Sequence, residues 1–439
     1  MLNLRDSEDL TRVGPGTVMG RFMRQYWMPA LLSRELVADG DPLRLMLLGE
    51  RLVAFRDSAG RVGVLDHRCP HRCASLFLGR NEAGGIRCIY HGWKFDVRGA
   101  CVDMPNVPPA QDFKHKVHAR AYRTAERNGL VWVYMGEREV PPPLPAIEAN
   151  LVPAEHTEIW CLQRECNWLQ ALEGDIDTSH VGFLHLGALS AEELPEGHPM
   201  RPTVLNRTPE YEVTETAWGT MYGGHRPNPD GRRSWRVAQF MLPFWTQTPN
   251  IRFATRCIAR AWVPMDDTHA MLFDLSAGVD EGNSAYNSTR PDGSPLFEPL
   301  RHAPNGTDWF GRWRAADRAP LDWGLDRTAQ RSGAHYSGIG NVTMQDQAVT
   351  ESMGPIVDHG LEHLGPSDRM ITRTRRRLLN AARAWCNSGQ APPGVDDPAL
   401  FFGARAGSFL HDPAAGLAAA YDEQLRAAQR WPAAAAAEG

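Results

Sequence analysis

The sequence has 439 residues, of which 42% are hydrophobic and 23% are charged, and its formal net charge at pH 7 is -5. This composition is typical of a globular protein with two or three domains, and the negative charge argues against a nucleic-acid partner. No apolar run is long enough to span a bilayer and the N-terminus has no signal-peptide pattern. We therefore expect no membrane association and a cytoplasmic location.

The first part of the chain predicts a short helical segment over residues 1–26 and a small antiparallel all-β domain over 27–140. Short β-runs separated by turn residues indicate the second unit, at 43–48, 52–55, 62–65 and 130–135. The prolines at 141–143 favour a stiff linker after it.

Two cysteine–histidine pairs lie inside this β domain. Cys69-x-His71 is followed, after sixteen residues, by Cys88-x-x-His91. Two thiolates on one iron and two imidazoles on the other are the ligand set of a Rieske [2Fe–2S] cluster. The alternative is a Cys₂His₂ zinc site, but zinc fingers usually group their cysteines and their histidines, whereas here the two alternate. The spacing therefore favours the Rieske cluster.

The remaining residues, 150–439, predict an α+β domain in which an antiparallel sheet wraps around helices, a helix-grip arrangement. Alternating β-runs indicate strands at 157–161, 211–216, 220–222, 234–241, 250–258 and 271–275. Helices are expected at 367–386 and 414–430, followed by a frayed alanine-rich tail. The segment 279–337 is rich in glycine, proline and polar residues, which indicates surface loops.

The stretch 167–185 predicts a helix that carries three polar residues not required for packing, namely Asp177, His180 and His185. Asp177 and His180 are three apart and would share one helical face, whereas His185 would point elsewhere. Both imidazoles can meet one metal only if the helix ends or distorts between them, and Gly182 is the expected place. A helix with two ordinary histidines remains the alternative from these residues alone.

Several segments resemble one known family. Residues 67–72 (His-Arg-Cys-Pro-His-Arg) and 88–96 (Cys-Ile-Tyr-His-Gly-Trp-Lys-Phe-Asp) resemble the Rieske non-haem iron oxygenases. Residues 14–17, 26–29 and 104–106 are similar to its phthalate dioxygenase branch. Cys73 departs from that branch, which usually has glycine there, and we expect it to be a small buried hydrophobic residue.

The resemblance implies a mononuclear Fe(II) site. In the family's pattern His180 and His185 are ligands, and the segment 341–348 supplies the carboxylate, which makes Asp346 the candidate. Two histidines and one carboxylate form the facial triad of non-haem iron oxygenases. Glu351 and Asp358 are weaker candidates for the carboxylate.

The resemblance also implies how electrons reach this iron. Asp177 would connect His180 to His71 or His91 of another subunit, in a homotrimer or stacked trimers, and helix capping is its alternative role. The chain has no flavin or nicotinamide motif, so the electrons are expected to come from a separate reductase. The resemblance to the phthalate dioxygenase branch implies that this reductase is NADH-dependent and contains flavin and an iron–sulfur centre.

The resulting prediction is the terminal oxygenase of a multicomponent system that cis-dihydroxylates an aromatic carboxylate such as phthalate or a related benzoate, using O₂. An anionic substrate requires arginine, and Arg226 and Arg252 are preferred over Arg207 and Arg236. The aromatic residues at 240, 244 and 245 are candidate walls for the ring, although core packing explains them equally well. The alternatives are a monooxygenase that removes O-alkyl or aryl-ether groups, and an electron carrier with a non-catalytic second domain.

Overall fold

The computed structural model describes residues 2–177, 179–194, 198, 200–278, 289 and 293–430. Two short helices open the chain, α1 (Leu4–Thr11) and α2 (Val18–Met23). The side chain of Asn3 accepts a hydrogen bond from the Asp6 N–H, and that of Thr17 accepts one from the Gly20 N–H. These caps satisfy donors that a helix N-terminus leaves without partners.

The N-terminal domain is built on a six-stranded antiparallel sheet with the order β1-β10-β9-β4-β3-β2. Its strands are β1 (Trp27–Leu32), β2 (Leu43–Leu47), β3 (Glu50–Arg56), β4 (Val62–Asp66), β9 (Ala121–Arg127) and β10 (Leu130–Tyr134). The predicted all-β domain is thereby confirmed.

A small four-stranded sheet, in the order β5-β6-β7-β8, extends this domain. Its strands are β5 (Arg80–Glu82), β6 (Gly85–Arg87), β7 (Lys94–Phe95) and β8 (Cys101–Asp103). The loop between β4 and β5 carries Cys69 and His71, and the loop between β6 and β7 carries Cys88 and His91. The small sheet therefore holds two loops side by side.

The second domain contains an eight-stranded antiparallel sheet in the order β11-β17-β16-β15-β14-β13-β12, with β18 also paired to β14. Its strands are β11 (Thr157–Arg164), β12 (Glu210–Glu215), β13 (Gly219–Pro227), β14 (Arg233–Met241), β15 (Trp245–Gln247), β16 (Arg256–Pro264), β17 (Ala270–Gly278) and β18 (Gly407–His411). The helices are α3 (Trp168–Ile176), α4 (Arg201–Leu205), α5 (Arg327–Ser332), α6 (Val342–Ser352), α7 (Arg369–Ser388) and α8 (Leu417–Ala427). The predicted α+β class is confirmed.

One predicted strand, 250–258, is wrong because β16 begins only at Arg256. The side chains of Ile251 and Phe253 are buried while Arg252 is exposed, which imitates the alternation of a strand. The alternation arises because this loop packs beside β18: the Ser408 N–H donates to the Ile251 carbonyl and the Phe253 N–H donates to the Ser408 carbonyl.

The two domains share one hydrophobic core. The indole rings of Trp132 on β10 and Trp245 on β15 stack with centroids 5.8 Å apart. The N–H of Leu48 donates to the Pro264 carbonyl at 3.1 Å, and that of Gly49 donates to the Met265 carbonyl at 2.8 Å. Buried contacts of this kind fix the position of one sheet relative to the other.

None of the helices in the described part of the chain is long and apolar enough to cross a membrane, and the cellular compartment stays a prediction. All three described sheets lie inside the predicted domain ranges, whose ends also stay predictions. The tail expected to fray, 431–439, and part of the expected loop region, 279–288 and 290–292, lie outside the described residues.

Candidate metal centres

The two loops of the N-terminal domain bring both cysteine–histidine pairs together. The thiols of Cys69 and Cys88 are buried and within hydrogen-bond reach, and burial followed by the neighbouring thiol raises the pKa of Cys69 to about 12. The imidazole rings of His71 and His91 lie next to one another, with centroids 4.3 Å apart. Two adjacent thiols on the inner side and two adjacent imidazoles on the outer side match the ligand set of a [2Fe–2S] cluster.

An unpartnered nitrogen supports this fit. His91 Nδ1 is buried and has no hydrogen-bond partner among the described residues. Buried polar atoms without a partner are rare and require an explanation, and ligation to a metal is one. The ring of His71 is held in place by Trp93, which stacks on it at 4.3 Å with an interplanar angle of 13°.

Cys73 corrects one expectation, because its side chain is exposed rather than buried. Its φ angle is +58°, in the left-handed region that disfavours any residue with a Cβ. Glycine adopts this conformation without that penalty, which explains why a glycine is expected at this position.

The helix of the stretch 167–185 is shorter than predicted. Its first turn is capped by Asn167, whose side chain accepts from the Leu169 N–H, and it ends at Ile176. Asp177 is already extended, with φ -93° and ψ 112°, so it does not share a helical face with His180. The break therefore precedes Asp177 instead of lying at Gly182.

Gly182 serves a different purpose. A Cβ on this residue would lie 3.3 Å from the Cβ of Arg207 and 3.4 Å from its Cγ. That distance is tighter than ordinary van der Waals contact, so Gly182 permits the close approach of the Arg207 side chain. Its conformational freedom is not what turns the chain here.

His180, His185 and Asp346 converge although they are far apart in sequence. The Nε2 atoms of the two histidines are 3.1 Å apart, and Asp346 Oδ1 lies 3.2 Å from His185 Nε2 and 3.6 Å from His180 Nε2. Burial alone would raise the pKa of Asp346, but the charges of His185 and His180 lower it to about 2. Two imidazoles and one ionised carboxylate aimed at one point fit a facial metal triad.

Asp177 lies on the opposite side of the His180 ring. Its Oδ2 is 3.5 Å from His180 Nδ1, and its Oδ1 accepts a hydrogen bond from the Ser179 N–H at 2.7 Å. Because His180 Nε2 faces Asp346, the carboxylate of Asp177 is placed to anchor the second ring nitrogen rather than to bind the same metal. The side chain of Asp177 remains 25% exposed.

The two weaker carboxylate candidates are not brought to the histidines. Glu351, at the far end of α6, accepts hydrogen bonds from the Glu165 N–H, Gln347 Nε2 and Trp323 Nε1. Asp358 lies in a loop and accepts from the Gly360 N–H. Of the three candidates, Asp346 alone lies beside both imidazoles.

A cavity opens beside the triad, and His180, His185 and Asp346 form part of its lining. Two arginines line it, Arg236 on β14 and Arg260 on β16. Arg260 is neutralised, since its Nη1 lies 2.6 Å from Asp175 and its Nε lies 2.6 Å from Asp274. Arg236 has no carboxylate partner among the described residues.

The structure does not bring Arg226 and Arg252 to this cavity. Arg226 is buried and its Nε donates to the Asn206 carbonyl at 2.5 Å. Burial, followed by the charge of Arg236, lowers the pKa of Arg226 to about 10. Arg252 is exposed and lines a separate cavity with Arg201. The preferred pair of substrate arginines thus lies elsewhere, and the less preferred Arg236 lines the cavity beside the triad.

The expected aromatic walls belong to the core. Phe240, Phe244 and Trp245 are each at most 1% exposed and do not line the cavity. The sequence reasoning also missed the buried pair of Asp175 and Arg260. Arg260 lies inside the otherwise apolar run 257–263, and a charge in such a strand is a signal for a buried ion pair.

Comparisons with known proteins cover nearly the whole chain. A model for the Rieske [2Fe-2S] domain matches residues 26–114, and one described as LigXa C-terminal domain like matches 133–402. The chain is 49% identical over 427 residues to the 3-chlorobenzoate-3,4-dioxygenase oxygenase subunit of Comamonas testosteroni, covering 96% of this chain and 98% of that one. It is 34% identical over 414 residues to the phthalate 4,5-dioxygenase oxygenase subunit of Pseudomonas putida, covering 91% and 90%. Its fold resembles the crystal structure of dicamba monooxygenase bound to dicamba, with a TM-score of 0.57, 18% identity, and 83% and 98% of the two chains covered.

Proposed function

The chain belongs to the Rieske non-haem iron oxygenases as an alpha subunit, and we propose that it cis-dihydroxylates an aromatic monocarboxylate of the benzoate class. Membership makes it an oxidoreductase with a Rieske [2Fe–2S] cluster and a mononuclear iron. Neither the zinc site nor the non-catalytic electron carrier therefore applies.

We assign the cluster to the four residues of the N-terminal loops. Cys69 and Cys88 hold one iron through thiolates, and His71 and His91 hold the other through imidazole nitrogens. Their adjacency and the unpartnered His91 Nδ1 support this assignment.

We assign the mononuclear iron to His180, His185 and Asp346, whose donor atoms lie within 4.8 Å of one another. When bound, the two centres supply single electrons and an open coordination site where O₂ meets the substrate. Asp346 provides the negative charge that balances part of the charge of the metal, and its lowered pKa keeps it ionised at neutral pH.

The observation that carries the substrate class is the state of Arg236. Its side chain is 3% exposed, its Nε has no hydrogen-bond partner among the described residues, and its Nη1 donates to the sulfur of Met200 at 3.1 Å. A buried guanidinium without a carboxylate is costly, and an anionic ligand in the cavity would compensate it. A carboxylate can accept two parallel hydrogen bonds from one guanidinium, which would orient the ring beside the triad.

Of the two arginines that line the cavity, only Arg236 lacks a carboxylate partner among the described residues, which favours a substrate with one carboxylate group over one with two. Arg260, the second arginine at the cavity, is occupied by Asp175 and Asp274. Phthalate carries two carboxylates, whereas a halobenzoate carries one. The relative with 49% identity is named for 3-chlorobenzoate and the one with 34% identity for phthalate, which agrees with this count.

The protein is one component of a multicomponent system, in which a reductase delivers the electrons. We propose an NADH-dependent flavin and iron–sulfur reductase, since one O₂ and two electrons with two protons are needed for each diol formed. We also propose a homotrimer or stacked trimers, in which Asp177 faces His71 or His91 of a neighbouring copy. The partly exposed Asp177, and Ile89 and Tyr90, which are 60% and 54% exposed beside the cluster ligands, support such a contact.

The test is product analysis with the reconstituted system. The oxygenase, a phthalate-type reductase and NADH are incubated with benzoate, 3-chlorobenzoate, phthalate, a methoxybenzoate and neutral benzamide, while O₂ consumption is recorded. We expect a cis-dihydrodiol from the monocarboxylates, in equal amount to the O₂ consumed, and little product from benzamide. A phenol and formaldehyde from the methoxybenzoate, without any diol, would establish the O-dealkylating alternative instead. Preferred turnover of phthalate would overturn the monocarboxylate assignment.

A further inference from the structure

Gln345 holds the one triad histidine that Asp177 does not reach. Its Oε1 lies 2.7 Å from His185 Nδ1, on the side of the ring away from Asp346. Gln345 and His185 are only 2% and 6% exposed. The amide therefore contacts the imidazole in a site where a hydrogen bond is protected from competing water.

The orientation of this amide follows from its second contact. Gln345 Nε2 donates to the carbonyl of Ile339 at 2.7 Å. A carbonyl oxygen only accepts hydrogen bonds, so the NH₂ group of Gln345 faces Ile339 and the amide oxygen faces His185. An amide oxygen also only accepts, so His185 carries a proton on Nδ1, which leaves Nε2 as the nitrogen that can bind a metal. His185 Nε2 faces Asp346 Oδ1, 3.2 Å away.

The two histidines thus have different partners. The second nitrogen of His180 faces a carboxylate, that of Asp177, whereas the second nitrogen of His185 faces a neutral amide. A carboxylate increases the electron donation of a ligand imidazole more than an amide does. Gln345 fixes a ring without adding charge, and it lies beside Asp346 on α6.

We propose that Gln345 is a positioning residue, which selects the Nδ1–H tautomer of His185 and holds its Nε2 on the iron. This rests on the proposed iron site of His180, His185 and Asp346. The amide acts through His185 and does not touch the metal itself. Its loss is expected to lower the affinity for iron by 10- to 100-fold, the usual effect of removing the partner of a metal-bound histidine.

The experiment measures Fe(II) affinity by chelator competition under anaerobic conditions, in the full chain with its cluster in place. Gln345→Met removes the acceptor at similar volume, whereas Gln345→Glu keeps an acceptor for His185 Nδ1. Gln347→Met is the matched control, because Gln347 is a buried amide on the same helix that contacts Arg164 and Glu351 instead of an imidazole. We expect weaker iron binding in Gln345→Met, near wild-type affinity in Gln347→Met, and an affinity for Gln345→Glu closer to wild type than to Gln345→Met.

Variants are compared only if they retain the visible absorption of the cluster and an iron-free melting temperature within a few degrees of wild type. Gln345→Leu replaces Gln345→Met if the latter fails this check. The positioning role is overturned if Gln345→Met leaves the iron affinity unchanged. It is also overturned if the affinity lost in Gln345→Met is equalled in Gln347→Met or in Gln345→Glu. If His185→Ala binds Fe(II) as tightly as the wild type does, the iron site on which the proposal rests is overturned instead.

Discussion

His180 Nδ1 lies 3.5 Å from Asp177 Oδ2, although the helix ends at Ile176, before both residues. The contact is therefore formed by an extended residue and a following 3₁₀ turn, rather than by two positions on one helical face. Because Asp177 is outside the helix, its carboxylate has one oxygen on the Ser179 N–H and the other on His180, and part of the side chain still faces outward. An anchor and an outward-facing bridge are compatible roles for one carboxylate.

Replacing Asp177 by Asn is expected to keep both metals and reduce coupled turnover by about 10- to 100-fold, because the second nitrogen of His180 loses its charged partner. Iron content, cluster absorption and NADH consumed per product are measured together.

The matched variant, Asp346→Asn, removes a proposed ligand and should lose the mononuclear iron while retaining the cluster. Near wild-type turnover in Asp177→Asn would rule out the bridging role.

Arg236 should control the affinity for the substrate carboxylate. Arg236→Met removes the cation that we expect to bind this group, so KM for the carboxylate should rise by about 10- to 100-fold, the worth of a hydrogen bond to a charged group. Both metal contents should stay at the wild-type level, which separates binding from assembly.

Arg252→Met is the control for Arg236→Met, because Arg252 lines a different cavity and is exposed. Its KM should change less than about threefold, as for a surface charge. If Arg252→Met raises KM and Arg236→Met does not, the preference drawn from the sequence was right and the assignment from the cavity is wrong.

The sequence predicted the metal ligands better than it predicted which residues line the substrate cavity. The motifs at Cys69 and Cys88 and the histidines at 180 and 185 are local in sequence, and their residue types are unusual enough to indicate metals. Which arginine is available could not be predicted, because Arg226 and Arg236 both lie on buried strands. Only packing shows that the Nε of Arg226 donates to a backbone carbonyl, while that of Arg236 has no partner among the described residues.

The end of α3 could not be predicted for a similar reason. Leu172 and Ile176 continue the apolar spacing of a helix, and no proline or glycine marks a stop at Asp177. The hydrogen bond from the Ser179 N–H to the Asp177 side chain competes with the next helical turn, as aspartate often does. Such competition is decided by tertiary contacts.

Cys73→Gly should stabilise the protein, because Cys73 is exposed and has a φ of +58°. Relief of the left-handed strain is worth about 1–2 kcal/mol, and the greater freedom of glycine in the unfolded chain offsets about half of it. The melting temperature of the cluster-loaded protein should rise by about 1–3 °C. Cys73→Ala, which keeps a Cβ, should show no rise, and equal rises in both variants would assign the effect to the thiol instead.

Arg375 connects α7 to α3, the helix that ends just before Asp177. On α7 it is 3% exposed and pairs with Glu173 of α3 and with Glu362, with each shortest N–O distance 2.6 Å. Arg375→Met leaves two carboxylates without their cation, so we expect the free energy of unfolding to fall by about 3–5 kcal/mol. The neighbouring Arg376 has a side chain that is 66% exposed and lies 3.8 Å from Glu215, so Arg376→Met should cost less than about 1 kcal/mol.

The difference in the free energy of unfolding between Arg375→Met and the wild type should become smaller at acidic pH. Burial raises the pKa of Glu362, but the hydrogen bond from Arg375 outweighs it, so this pKa is lowered in the folded protein. A lowered pKa contributes stability above the ordinary carboxyl value and loses it as the pH falls through the lowered one. In the variant, protonation of the two carboxyl groups also relieves the uncompensated buried charge. The denaturant midpoints of the wild type and Arg375→Met should therefore lie closer together at pH 4 than at pH 7.5, and a gap that widens at pH 4 would show that Arg375 stabilises the fold through packing instead of charge.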